Sequence, residues 1–208
     1  MIQIRGIRLT KNKIIFGIIL CLILNLSAGC QGKKTNIATI RINHDSNYID
    51  TFENLSMGNI FDFEFTLPEA ENKWVTLWVE RYIDGVKDTE PLISLNYGES
   101  LNEVEEGHLG FGLADIDSDE SLAILYAPGV STRSVIEHES KEGVFSSWDY
   151  TVDEDPIELE ISVAKVLAIY REVEGDSIHT LYVDDEQAVE EAIEQSDLVY
   201  VLKIMIDE

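Results

Sequence analysis

Ile60-Phe61-Asp62-Phe63-Glu64-Phe65-Thr66-Leu67 carries a large apolar side chain at each odd position from 61, with Asp62, Glu64 and Thr66 between them. Successive side chains of a β-strand point to opposite faces, so this period predicts a half-buried strand with the phenylalanines turned inward. The same reading extends along the chain. Residues 73–83 place Val75, Leu77, Val79 and Ile83 at odd positions and end at Asp84-Gly85, a hairpin turn pair. Further strands are expected at 37–42, 92–97, 108–113, 122–126, 134–138, 145–150, 157–163, 166–173, 179–183 and 198–206, separated by turn residues. A bulge or break is expected near Lys165, which interrupts an apolar face. Gly110 and Gly112 leave one face of their strand bare, so that a bulky neighbour can pack close.

Only residues 184–196 show helical spacing. Ala188, Val189, Ala192 and Ile193 share one side, acids fill the other, and Asp184 or Asp185 serves as N-cap. Many short strands with one short helix in the C-terminal half predict a mainly β fold: a single β-sandwich-like domain or a distorted barrel. At 208 residues and 45% hydrophobic content, the chain suits one domain with a real core.

Charge is distributed unevenly. The chain has 15 Lys and Arg against 40 Asp and Glu, a net −25. Arg5, Arg8, Lys11 and Lys13 are the only charged residues of the first thirty; the rest of the chain holds 11 bases against all 40 acids, a net −29. Such a surface repels phosphates, so nucleic acid is not expected as a partner. The basic start is followed by the apolar run from Ile14 to Leu24 and by Ser27-Ala28-Gly29-Cys30. That order of basic region, apolar region and small residues is the order of a secretory signal. Eleven apolar residues reach only ~16 Å as a helix at ~1.5 Å each, short of a ~30 Å hydrocarbon core.

Small residues directly before a cysteine resemble the lipobox of bacterial lipoproteins, a resemblance confined to residues 1–30. It implies cleavage between Gly29 and Cys30 and a thioether-linked diacylglycerol on Cys30. The pattern departs from that family at Ser27, where a large aliphatic residue is usual; Leu26 lies one place further out. The implied organisation is a signal peptide over 1–29, a lipidated cysteine and polar tether over 30–36, and one β-rich extracytoplasmic domain over 37–208. The implied location is the outer face of the cell membrane, held by the lipid. Cys21 would be removed with the signal, leaving a mature domain with no cysteine pair and so no internal disulfide.

Catalytic signatures are sparse. No G-x-S-x-G or H-E-x-x-H string occurs, and His44, His108, His138 and His179 lie far apart in sequence. Gly107, Gly110 and Gly112 have the wrong spacing for a dinucleotide loop. The reading that follows is a binding or accessory domain that recognises a surface protein or cell-wall polymer. Its alternative is an extracytoplasmic hydrolase whose site is assembled from scattered residues. Two sets of candidate binding residues stand out. Trp74, Trp78 and Tyr82 recur every four residues on the second face of their strand, with Glu80 between rings. They form either an aromatic ladder suited to sugar faces or a face covered by a loop or by the helix at 184–196. Asp115, Asp117 and Asp119 alternate in a turn like the opening of an EF-hand loop, although Glu120 stands where its glycine belongs and Tyr126 where its bidentate glutamate belongs. They are expected to hold calcium weakly, at ~10⁻⁴ to 10⁻³ M, with no other cofactor.

One acyl chain binds membranes only marginally, at ~10⁴ M⁻¹, and two hold stably. Cys30→Ser is therefore expected to leave an unprocessed precursor or to release the protein from the membrane fraction. Fractionation and the mass of the N-terminal peptide check this, and a variant processed and retained like the parent refutes the lipid assignment.

Overall fold

The strand expected at 60–67 forms the middle of β2, Gly58–Pro68. In this computed structural model, which describes residues 36–116, 120–137, 143–175 and 186–208, Phe61, Phe63, Phe65 and Leu67 are all buried. On one side β2 pairs with β1 (Ala38–Ile42), and β1 with the short β10 (Ile157–Leu159). On the other side it pairs with β6 (Val104–Asp115), followed by β7 (Glu120–Ala127) and β8 (Val130–Glu137). The first sheet is thus β10-β1-β2-β6-β7-β8.

The second sheet is built on β3 (Trp74–Ile83). β3 pairs along its length with β12 (Leu198–Asp207), which continues to β11 (Lys165–Glu174) and β9 (Val144–Tyr150). Its other side is shared by β4 (Val86–Lys87) and β5 (Ile93–Gly98). The β3–β4 hairpin turns at Asp84 and Gly85 with φ of +49° and +75°, the two positive values that a tight hairpin of this type requires. Among the described residues the strands named above all pair antiparallel, and one isolated parallel bridge joins Ile161 to Ile206 of β12.

The two sheets pack face to face. Phe61, Phe63, Phe65, Leu109 and Phe111 from the first share one core with Val75, Leu77, Val79, Leu167, Leu202 and Ile204 from the second. The sheets do not close on each other, so the architecture is a β-sandwich and not a barrel.

Among the described residues the expected single helix is corrected to two α-helices. α2 (Glu186–Glu194) lies within the expected segment and packs Val189 and Ala192 on Ile169, Val199 and Val201. Its expected caps, Asp184 and Asp185, and the strand at 179–183 lie outside the described residues. The additional helix, α1 (Asn47–Leu55), begins at Ser46, whose hydroxyl accepts from the Tyr48 and Ile49 amides. No glutamate stands three residues after Ser46, and Tyr48, Ile49, Thr51 and Phe52 favour strands as readily as helices, so the sequence signal is faint. The bulge near Lys165 is present as a register shift against β12 between Val166 and Ala168. The expected strand 157–163 stops at Leu159; Ser162 takes a left-handed φ of +58° and its amide donates to the Ile206 carbonyl.

Gly110 faces Asp62 on one side and Tyr126 on the other. A Cβ there would stand 2.0 Å from the Phe61 carbonyl oxygen and 2.5 Å from the Tyr126 hydroxyl, so the tyrosine occupies the space that the glycine leaves. At Gly112 a Cβ would meet only side-chain atoms of Ile60 and Phe52, at 3.3 and 3.4 Å. Gly110→Ala is expected to cost about 3 kcal/mol or more, and Gly112→Ala about 1 kcal/mol or less. Denaturant unfolding of the two variants checks the order.

Candidate functional site

Alternation along β3 sends Val75, Leu77 and Val79 into the core and Trp74, Thr76, Trp78, Glu80 and Tyr82 to the outer face of the second sheet. That face is covered in part. α2 lies over Val199 and Val201 of β12 and reaches Tyr82, so the Tyr82 end of the row is packed. The other end is open: Trp74 is 46% exposed, and Trp78 is half-buried. Trp74 lies against the bare backbone of its cross-strand neighbour Gly98, where a Cβ would come within 2.8 Å of the ring.

Glu80 binds the row together. It is buried, yet Trp78 Nε1 donates to its Oε1 at 3.1 Å and the Tyr82 hydroxyl to its Oε2 at 2.8 Å. Lys87 Nζ lies 2.6 Å from Oε1, and Lys203 Nζ 3.0 Å from Oε2. Two of the eight Lys and Arg residues described thus converge on one carboxylate. Burial by itself pushes this carboxyl up, but the hydrogen bonds from Lys87, Lys203, Trp78 and Tyr82 outweigh it and hold the group at about 2, against an ordinary 4.5. Burial and the adjacent Glu80 charge push the Tyr82 hydroxyl well above its usual range. The hub fixes the orientation of two aromatic rings and leaves the Trp74 ring as the accessible one.

Of the three expected calcium ligands, Asp117 and Asp119 lie outside the described residues. Asp115 is exposed at the end of β6, opposite Ser121 of β7, with its amide donating to the Met57 carbonyl. Asp149 of β9 accepts from the Ser147 hydroxyl at 2.8 Å and lies 3.7 Å from Arg171 Nε.

A second polar cluster was not legible in the sequence. Asp62, between two core phenylalanines in sequence, is fully buried on the outer face of the first sheet. It accepts from Asn43 Nδ2 at 2.7 Å and from the Tyr126 hydroxyl at 2.7 Å, and His108 Nδ1 lies 3.2 Å away. Tyr48 of α1 sets its ring edge-on against both His108 and Tyr126. An aspartate beside a histidine is the orienting half of many hydrolytic sites. Among the described residues no serine, threonine or cysteine is hydrogen-bonded to His108. The only hint in the sequence was an acid amid phenylalanines, which period-two alternation reads as a solvated position.

No family model matches this chain, and neither the curated proteins nor the solved structures contain a match to it.

The Glu80 hub has a definite pH signature. Its carboxyl is depressed in the folded state, so the stability it brings is complete above its ordinary 4.5 and is lost as pH falls through about 2. Glu80→Gln is expected to be less stable than the parent near neutrality, and that gap should narrow as the pH drops from 4.5 toward 2. Thermal melts of both proteins across that range check it, and a gap independent of pH refutes the assignment.

Proposed function

We propose that the chain is a membrane-anchored bacterial lipoprotein, lipidated at Cys30, whose domain on the outer face of the cell membrane binds a cell-wall glycan or a surface protein. The observation that carries the binding reading is the open half of the second sheet's outer face. Three cross-strand rows run across it: Gly98–Trp74–Asp207, Asn96–Thr76–Met205 and Ser94–Trp78–Lys203. Trp74 and Trp78 stand four residues apart on one strand, about 13 Å at ~3.3 Å per residue. An indole ring offers large contact area at little entropic cost. Around it, amide, hydroxyl, ammonium and carboxylate groups from Asn96, Ser94, Lys203 and Asp207 suit the hydroxyls of a sugar chain better than an apolar protein patch. The glycan is therefore the favoured ligand, and a weak calcium site at Asp115, Asp117 and Asp119 belongs to the same proposal.

A hydrolase is the second reading, and the pairing of Asp62 with His108 is what favours it. The binding reading rests on more of the surface.

Trp74→Ala removes an exposed ring, so it is expected to change stability by less than about 1 kcal/mol. It should weaken sedimentation with purified cell-wall material by at least about tenfold, the effect of truncating an aromatic anchor. Trp78→Ala is expected to cost about 2 kcal/mol, because it also takes a donor from a buried carboxylate. Cell-wall binding by Trp74→Ala equal to that of the parent refutes the surface.

A further inference from the structure

At one end of the sandwich the inward-facing positions change from aliphatic to aromatic and polar. Trp148 of β9, Tyr170 of β11 and Tyr200 of β12 are direct cross-strand neighbours and form one row on the inner face of the second sheet. Trp148 and Tyr170 have ring centroids 4.7 Å apart, and Tyr170 stacks on Tyr200 at 5.5 Å. Behind them, Phe111 meets Trp148 at 6.5 Å and Tyr200 at 6.4 Å, which closes the cleft toward the core. In front of them a cleft of about 90 Å³ lies between the two sheets.

Two carboxylates border this cleft. Glu172, two residues beyond Tyr170 on the same face of β11, accepts from the Tyr170 hydroxyl. Asp115 enters from the first sheet, beside Ser121. Among the described residues no lysine, arginine or histidine lines the cleft. The Trp148 indole N–H is buried and has no hydrogen-bond partner among the described residues.

We propose that this cleft is a binding site for a small organic ammonium ion. Aromatic faces attract cations through their ring quadrupole, and the attraction strengthens where water is excluded. Glu172 and Asp115 supply the opposite charge, and the stacked rings hold the wall rigid without the ligand. The cleft has room for several waters, and so for an ammonium head group with a few carbons. The net −25 charge of the chain draws cations toward the surface in general, and the aromatic row gives this cleft its selectivity for an organic one. This site is separate from Trp74 and its neighbours, on the opposite face of the same sheet, so it does not depend on the glycan reading.

The test is calorimetric titration of the full chain in detergent with ethanolamine, choline, tetramethylammonium and calcium chloride, at constant ionic strength. Saturable heat with ethanolamine or choline, weakened at least about tenfold in Glu172→Gln and unchanged in Trp74→Ala, supports the proposal. Glu172 is only partly buried, so its variant is expected to fold. Asp115→Asn, at an exposed position, provides an independent second variant and should weaken binding as well. Saturable heat with calcium alone, no heat with any amine up to tens of millimolar, or amine binding indifferent to both variants would each overturn it.

Discussion

The two sheets close over the phenylalanines of β2, and most of the remaining structure follows from that closure. Phe61, Phe63 and Phe65 take up the inward positions of a central strand, with Phe111 beside them on β6. Large rings at alternate positions dictate which side of β2 is buried, because a slip of one residue would turn all of them to solvent. The outer face of the same sheet has its own close approach. Gly110 sits between Asp62 and Tyr126 where no side chain fits, and the tyrosine closes the gap from the outer side.

Closing the sandwich leaves each sheet an outer face, and each is covered in part by one short helix. Beneath or beside each helix lies a buried carboxylate with a full set of donors. Asp62 is met by Asn43, Tyr126 and His108; Glu80 is met by Trp78, Tyr82, Lys87 and Lys203. A buried acid without such partners would be strongly unfavourable, so these networks locate the outer-face positions where burial and charge had to be reconciled. In a chain with 40 acids and 15 bases, the pairing of two lysines with Glu80 is a concentrated use of a scarce charge. It also divides β3 into a packed end at Tyr82 and an open end at Trp74, and the open end is the part of the ladder available to a ligand.

The sandwich ends are governed by a different constraint. Toward the middle, facing rows are aliphatic and phenylalanine; at the end bordered by Asn59, Asp115 and Ser121 the facing row is Trp148, Tyr170 and Tyr200. Tyrosine and tryptophan suit such a position because the ring packs inward while the polar atom reaches a wetter edge. The Tyr170 hydroxyl uses its edge to bind Glu172. An aromatic wall bordered by carboxylates is the physical result.

Period-two alternation was enough to read most strands, the inward Val75, Leu77 and Val79 of β3 (though not Ile83, which is exposed at the strand's end), the Asp84-Gly85 hairpin and the apolar side of α2, because each depends on neighbours within a few residues. The bulge after Lys165 and the bare face at Gly110 and Gly112 were legible for the same reason. α1 was not, since nine residues with a single cap and strand-forming side chains carry little helical signal until Tyr48 and Phe52 find a sheet to lie on. Nor was the fate of the aromatic face on β3. Trp74, Trp78 and Tyr82 are equivalent in spacing, and only the packing of α2 and the convergence of Lys87 and Lys203, from different strands, made one end closed and the other open. Asp62 with His108, and Trp148 with Tyr170 and Tyr200, are separated in sequence by 22 residues or more and adjacent only through strand pairing. Local period fixes which way a side chain points; which side chain it meets depends on the order of strands in the sheets, a long-range choice that no local pattern encodes.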